Sequence, residues 1–211
     1  MISFGNKAVT GMYYGDKAVT AAYYGDKLVW SGEEPRAVKF TALEDSGLSV
    51  QSYGSAPSIT LEYSLDGRTW NPMTVDETVI SVDAGDACYV RGVNNSTWAT
   101  DGDNYNKFIA EGALKAEGPL VSLLDKDATS ITQQRAMVWL FGDCTALKDI
   151  KGLTFPQDIS FNCFGMMFNG SGISAAPDEL PATALTADVY WGMFQNCSKL
   201  SDASNLVLKC T

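Results

Sequence analysis

A ten-residue unit is written three times at the start of this chain, and no other feature limits the fold so tightly. Phe4-Gly5-Asn6-Lys7-Ala8-Val9-Thr10 becomes Tyr14-Gly15-Asp16-Lys17-Ala18-Val19-Thr20 and then Tyr24-Gly25-Asp26-Lys27-Leu28-Val29-Trp30. A regular repeat presents the same surface with each unit. Seven or eight residues of strand plus a two-residue Gly-Asn or Gly-Asp turn fill the period, because Gly takes positive φ without strain. On such a strand Ala18, Thr20, Ala22 and Tyr24 face one way and Val19, Ala21 and Tyr23 the other. Neither face is strongly polar, so a three-stranded ribbon of this kind needs a cover in water. The rest of the chain or another subunit could supply it. Another subunit is expected, since the next segment reads as self-contained. Tyr13, Tyr14, Val19, Tyr23, Tyr24, Val29 and Trp30 are then the candidate docking residues.

The 211 residues carry 25 acids against 15 bases, a net charge of −10. The basic clusters that phosphate binding requires are missing, which argues against nucleic acid as a partner. The spread of acids reads as a soluble, self-repelling surface. A hydrophobic fraction of 45% is enough to build cores. No apolar run approaches the roughly 20 residues of a membrane span. Met1-Ile2-Ser3 leads straight into the repeat and leaves no room for a secretory signal. The expectation is a chain that is cytoplasmic, a mature fragment, or released by lysis.

Histidine is absent, which removes Ser-His-Asp and Cys-His catalysis and histidine metal sites together. The five cysteines (Cys88, Cys144, Cys163, Cys197 and Cys210) form no Cys-x-x-Cys pair and are odd in number. They read as small buried apolar residues rather than zinc ligands or a disulfide framework.

Ser31-Gly32-Glu33-Glu34-Pro35 reads as a linker. Residues 36–118 read as all-β, with strands expected at 37–43, 58–64, 78–82, 87–92, 107–110 and 112–116. Ile59, Leu61 and Tyr63 face in, while Thr60 and Glu62 face out. Short strands separated by Gly, Asp and Asn turns point to a β-sandwich. Beyond residue 118 the character changes. Thr129 or Ser130 can cap a helix running to about Leu140, with Gln133 completing a capping box and Gly142 at the C-terminal end. A period of 26 to 27 residues then appears. Phe141-Gly142-Asp143-Cys144 returns as Phe168-Asn169-Gly170-Ser171 and as Phe194-Gln195-Asn196-Cys197. Such a period predicts a solenoid, with a short strand, a Pro-containing corner and a short helical turn in each coil. Phe, Met, Leu and Cys would stack inside it.

The segment Ile173-Ser174-Ala175-Ala176-Pro177-Asp178-Glu179-Leu180-Pro181-Ala182-Thr183-Ala184-Leu185, followed by Tyr190-Trp191-Gly192-Met193-Phe194-Gln195-Asn196-Cys197-Ser198-Lys199-Leu200, resembles a BspA-type leucine-rich repeat. That family carries an LPATxL…YxxMFxxCxxL pattern and occurs in surface proteins of gut anaerobes and in proteins of their phages. The resemblance implies adhesion or recognition and carries over no catalytic residue. The N-terminal units resemble the YYGDKxV segments near the start of phage tail and fibre proteins. Leu61–Trp70 and Tyr89–Gly92 resemble the module that often precedes such leucine-rich repeats. The fold class expected is therefore mainly β: an N-terminal β-repeat ribbon over residues 1–32, a β-sandwich over 36–118, and a leucine-rich-repeat solenoid over 119–211. The last coil stops on the largely apolar Leu206-Val207-Leu208, so a continuation or another chain is expected to cover it.

Several local motifs carry little. Asp101-Gly102-Asp103-Asn104-Tyr105-Asn106 looks like the front of a calcium loop but lacks the distal Glu. Asn94-Asn95-Ser96-Thr97 holds overlapping glycosylation sequons, and no two acids stand out as a glycosidase pair. Trp70, Trp98, Tyr105 and Trp191 lie beside turns or repeat corners, where aromatic rings either bind sugars or pack. Trp98, Tyr105 and Trp191 are the candidate recognition residues.

These readings converge on a non-enzymatic phage structural protein without cofactor or metal. Residues 1–32 would dock on other virion subunits, and the repeats would meet a host-surface glycan or protein. A homo-oligomer is expected, because repetition multiplies shallow contacts. The alternative is a bacterial cell-surface adhesin. An enzyme, such as a glycan hydrolase, is the third reading and has no site to support it.

Overall fold

The computed structural model describes residues 35–209 throughout and, between residues 3 and 31, the backbone of six short strands. Residues 32–34 of the expected linker and the side chains of Tyr13, Tyr14, Val19, Tyr23, Tyr24, Val29 and Trp30 lie outside the described part. The six strands pair as three antiparallel hairpins: β1 (Ser3–Phe4) with β2 (Lys7–Ala8), β3 (Met12–Tyr14) with β4 (Lys17–Val19), and β5 (Ala21–Tyr24) with β6 (Lys27–Ser31). Phe4 faces Lys7, Tyr14 faces Lys17 and Tyr24 faces Lys27. Each ten-residue unit is thus centred on its own hairpin. The pairs flank Gly5-Asn6, Gly15-Asp16 and Gly25-Asp26, the turn pairs expected from the sequence, while the residues between one hairpin and the next lie outside the described part.

The described chain is mainly β, arranged in several sheets. β7 (Val38–Ala42), β9 (Leu61–Ser64), β10 (Asn71–Met73), β12 (Ala87–Gly92), β14 (Leu114–Pro119) and β15 (Leu147–Thr154) form a six-stranded sheet in the order β10-β9-β12-β7-β14-β15. Pro72 sits in the edge strand β10, where its missing N–H costs no ladder bond. β8 (Ser46–Tyr53), β11 (Ile80–Val82) and β13 (Tyr105–Ala110) form a second sheet in the order β11-β8-β13. Alternation drives the burial: Val38, Phe40 and Ala42 of β7 and Leu48 and Val50 of β8 point into one core. The strand expected at 87–92 is present with those bounds, those at 37–43, 58–64 and 78–82 are shortened, that at 107–110 is extended to 105–110 and that at 112–116 is shifted to 114–119, whereas β8, at the centre of the second sheet, is an addition to the sequence reading.

The sheet and its core run straight across residues 118–119. β14 pairs in parallel with β15, and one buried cluster joins Phe40, Phe108 and Leu114 to Phe141, Phe168 and Met193.

The helix expected from Thr129 or Ser130 to Leu140 is replaced by a row of tight turns. The only helix among the described residues is a 3-10 turn, Leu120–Leu123. Along the row, alternate N–H groups close turns, such as Val138 to Arg135 O, Leu140 to Met137 O and Gly142 to Trp139 O. The intervening N–H groups of Arg135, Met137, Trp139, Phe141 and Asp143 donate to Phe161, Cys163, Gly165, Met167 and Asn169. An α-helix would have spent those donors on its own carbonyls. A second row repeats the scheme, with Asn162, Phe164, Met166, Phe168 and Gly170 donating to Ala187, Val189, Trp191, Met193 and Gln195.

Each turn needs a positive φ at every fourth residue: 135, 139 and 143, then 162, 166 and 170, then 188, 192 and 196. Asn, Asp or Gly fills six of these nine positions, the types that tolerate this region best. Phe141, Phe168 and Phe194 stack through the rows at 5.5 and 5.8 Å, with their planes within 4° of parallel.

Candidate recognition surface on the turn rows

The three candidate recognition aromatics fall into different environments. Trp98 is fully buried, and its indole N–H donates to Leu123 O at 3.0 Å. Its place at the end of a polar loop suggested exposure; the loop instead folds over it, held by Asn106, whose side-chain amide donates to Pro57 O and Trp98 O. Tyr105 is also buried, stacked between Tyr53 at 5.0 Å and Trp139 at 5.7 Å. Burial first, then the charges of neighbouring Tyr53, Asp143 and Asp103, push its phenol pKa up. Neither residue offers a surface to a ligand, which corrects their candidacy. Trp191 is different: it stands 56% exposed on the third turn row.

Trp70, also considered from sequence, carries the Arg91 guanidinium 3.7 Å above its ring. Arg91 in turn donates Nε and an Nη to one Glu62 oxygen, at 2.9 and 2.8 Å. That ring is therefore occupied by a cation–π contact across β12 and β9. In the acidic loop, Asp101 accepts from the Asp103 N–H and the Asn104 side-chain amide, so its oxygens serve the loop. Asn95 of the sequon accepts from Thr60 N and donates to Thr60 O and Leu123 O.

Two surfaces remain. A polar cavity of about 430 Å³ lies where the 97–100 loop meets the first turn row, lined by Thr97, Thr100, Thr132, Gln134, Arg135 and Ser160. Hydroxyls, amides and one guanidinium can hold a polyhydroxyl or amide-bearing ligand by hydrogen bonds, but they provide no activated nucleophile or general base.

The other surface is the outer end of the third row. Trp191, Leu185, Val207 and Leu208 make up half of the eight large exposed hydrophobics among the described residues. Phe194, Cys197 and Leu206 are partly buried and pack against the core. The short strands β16 (Glu179–Leu180) and β17 (Val207–Leu208) pair in parallel. Sequence reading missed Tyr53, Leu185 and Phe194 as surface aromatics or apolars. Their exposure depends on which neighbour is absent, and the pattern of apolar residues does not encode that.

No group of metal-ligating side chains occurs among the described residues, and none of their helices is long and apolar enough to cross a membrane. Cys88 and Cys163 thiols are pushed up to about 12 by burial. No family model, curated protein or solved structure matches the chain.

Proposed function

We propose that this chain is a non-enzymatic virion structural protein of a phage, a tail or head fibre subunit. It docks on other virion subunits through residues 1–32 and recognises the host surface through a leucine-rich-repeat solenoid. In this reading residues 36–118 are a β-sandwich spacer, and the chain works as a homo-oligomer. The observation that carries the reading is the stack of turn rows. Phe141, Phe168 and Phe194 fall on one column at intervals of 27 and 26 residues, which is how coils of a repeat protein bury a shared core. The BspA-like motif residues Met193, Phe194 and Cys197 lie in that stack, and exposed Trp191 beside them supplies a flat apolar ring suited to a sugar face or a protein side chain.

Deletion of residues 1–32 tests the docking half. The truncated chain is expected to fold yet to be missing from purified particles, while the intact chain is found there by mass spectrometry. Equal incorporation of the two overturns the docking role. Peptides recovered only from the bacterial envelope fraction transfer the same recognition surface to a cell-surface adhesin.

A further inference from the structure

The polar cavity beside the first turn row sits where the backbone ladder between rows opens. Ile131 N–H donates to Asp158 O, and Arg135 N–H donates to Phe161 O. Four residues of advance on one side meet three on the other, and no ladder bond forms between these two. The N–H groups of Thr132, Gln133 and Gln134 are left without an acceptor among the described residues, and all three residues line the cavity. From Arg135 to Asp143 every second N–H again donates to the neighbouring row, so the opening is local.

The side chains around the opening are uncommitted. The hydroxyls of Thr100, Thr132 and Ser160 and the amides of Gln133 and Gln134 make no hydrogen bond within the described chain. Thr97 differs: its hydroxyl donates to Ala99 O and accepts from Ala99 N–H. The Arg135 guanidinium lies over the Phe161 ring, 5.1 Å from its centroid, and forms no ion pair or side-chain hydrogen bond among the described residues. The ring contact holds the cation in place. In a chain with 25 acids against 15 bases, this lining contains one cation and no carboxylate. Asp101 is near enough to feel the Arg135 charge, but its oxygens are spent on the Asp103 N–H and the Asn104 amide of its own loop.

A single planar cation among neutral polar groups matches a carboxylate, which carries one charge in the geometry of the guanidinium fork. A phosphate ester carries up to two charges and would leave one unanswered here. Hydroxyls and amides both donate and accept, as a ring of sugar hydroxyls requires. Ala99 is the only apolar residue of the lining, so a hydrophobic side chain finds little to bury against. We infer that the cavity is a binding site for a carboxylate-bearing sugar. Arg135 holds the carboxylate, and Thr132, Gln133, Gln134 and Ser160 hold the hydroxyls. Its volume of about 430 Å³ falls within the range of small-molecule sites. Trp191 is not part of it, and the inference depends on neither the virion nor the adhesin reading.

Titration of the intact, isotope-labelled chain with glucuronate at neutral pH, followed by NMR, tests it. Glucuronate should shift the amide signals of Thr132, Gln133 and Gln134 saturably, with a Kd on the order of 1 mM or tighter. Glucose, which has a hydroxymethyl group in place of the carboxylate, should bind about tenfold more weakly or worse, the difference made by one charge-assisted pair. Arg135→Gln should weaken glucuronate binding by about tenfold or more, and Gln134→Ala by about threefold. Signals elsewhere in the chain should stay unchanged in both variants, which shows that they fold. Absence of saturable shifts, or equal affinity for glucose, overturns the proposal. So does acetate or inorganic phosphate binding as tightly as glucuronate, which would leave a bare anion site. Unchanged glucuronate affinity in folded Arg135→Gln overturns it as well. Should that variant misfold, unchanged affinity in Gln134→Ala does the same.

Discussion

Replacing Gly172 with Ala isolates the close approach between the ends of the first two turn rows. The backbone of Gly172 is not in the left-handed region, so no torsional strain enters. A Cβ there would lie 2.0 Å from Thr145 O, 2.8 Å from Thr145 C and 3.1 Å from Leu147 O, all main-chain atoms at the entry to β15. Flexible side chains can move aside, but this backbone is held by the Leu114 pairing and by Leu147 N–H to Cys144 O. Opening the gap by about 1 Å would break the 3.2 Å bond from Gly172 N to Cys144 O and strain the 3.1 Å bond from Ser174 N to Lys148 O. Two weakened hydrogen bonds at about 1 kcal/mol each and an overpacking cost of about 1–3 kcal/mol give a loss of about 3–5 kcal/mol. A domain of this size loses about 2–4 °C in Tm per kcal/mol, so thermal unfolding followed by circular dichroism should shift down by about 6–20 °C. Gly102→Ala is the control, because nothing lies within 4 Å of its Cβ and its φ is ordinary; it should stay within about 0.5 kcal/mol of the parent. Gly85→Ala tests torsion alone, with open space but φ +88°. If Gly172→Ala melts with the Gly102→Ala control, the close-approach argument is wrong.

Phe141→Ala removes a ring at the centre of the aromatic column and should cost about 3–5 kcal/mol in urea unfolding. A loss no larger than that of an exposed residue such as Leu185→Ala would show that the column is not a continuous core. Alkylation of the native chain with iodoacetamide at mildly alkaline pH should leave Cys88 and Cys163 unmodified, because their thiols titrate near 12 and are buried; both should react fully in denaturant, as peptide mapping can read. Burial opposes ionisation of Asp66, but N–H groups of Thr69 and Arg68 and hydroxyls of Ser64 and Thr69 together lower it from 3.8 to about 2. Its folded value being depressed, Asp66 stabilises the fold above about pH 3.8, and that contribution fades as pH falls towards about 2. The group is mostly exposed, so the effect is small. Asp66→Asn should flatten the acid limb of Tm against pH, and an unchanged limb would refute the assignment.

The sequence by itself determined the β character, the two kinds of repeat and much of the core. Alternating apolar residues announce β7, β9 and β12, because a strand buries every second side chain whatever its neighbours are. The recurrence of Phe141, Phe168 and Phe194 announces a stack, because equivalent positions in successive turn rows meet. The Asn, Asp and Gly residues at 188, 192 and 196 already suit positive φ. Tertiary structure decided the rest. The stretch from Ser130 to Leu140 carries signals for a helix, yet its N–H groups are drawn onto the next row, and Trp139 accepts a positive φ where its ring stacks on Tyr105. β8 forms because β11 and β13 flank it on both sides; its own residues alternate only over Leu48, Ser49, Val50 and Gln51 and start from Ser46-Gly47, a weak local signal. Trp98 and Tyr105 are buried and Trp191 exposed for the same reason. Burial belongs to what packs against a side chain, and for an aromatic ring in a loop that neighbour comes from far along the chain.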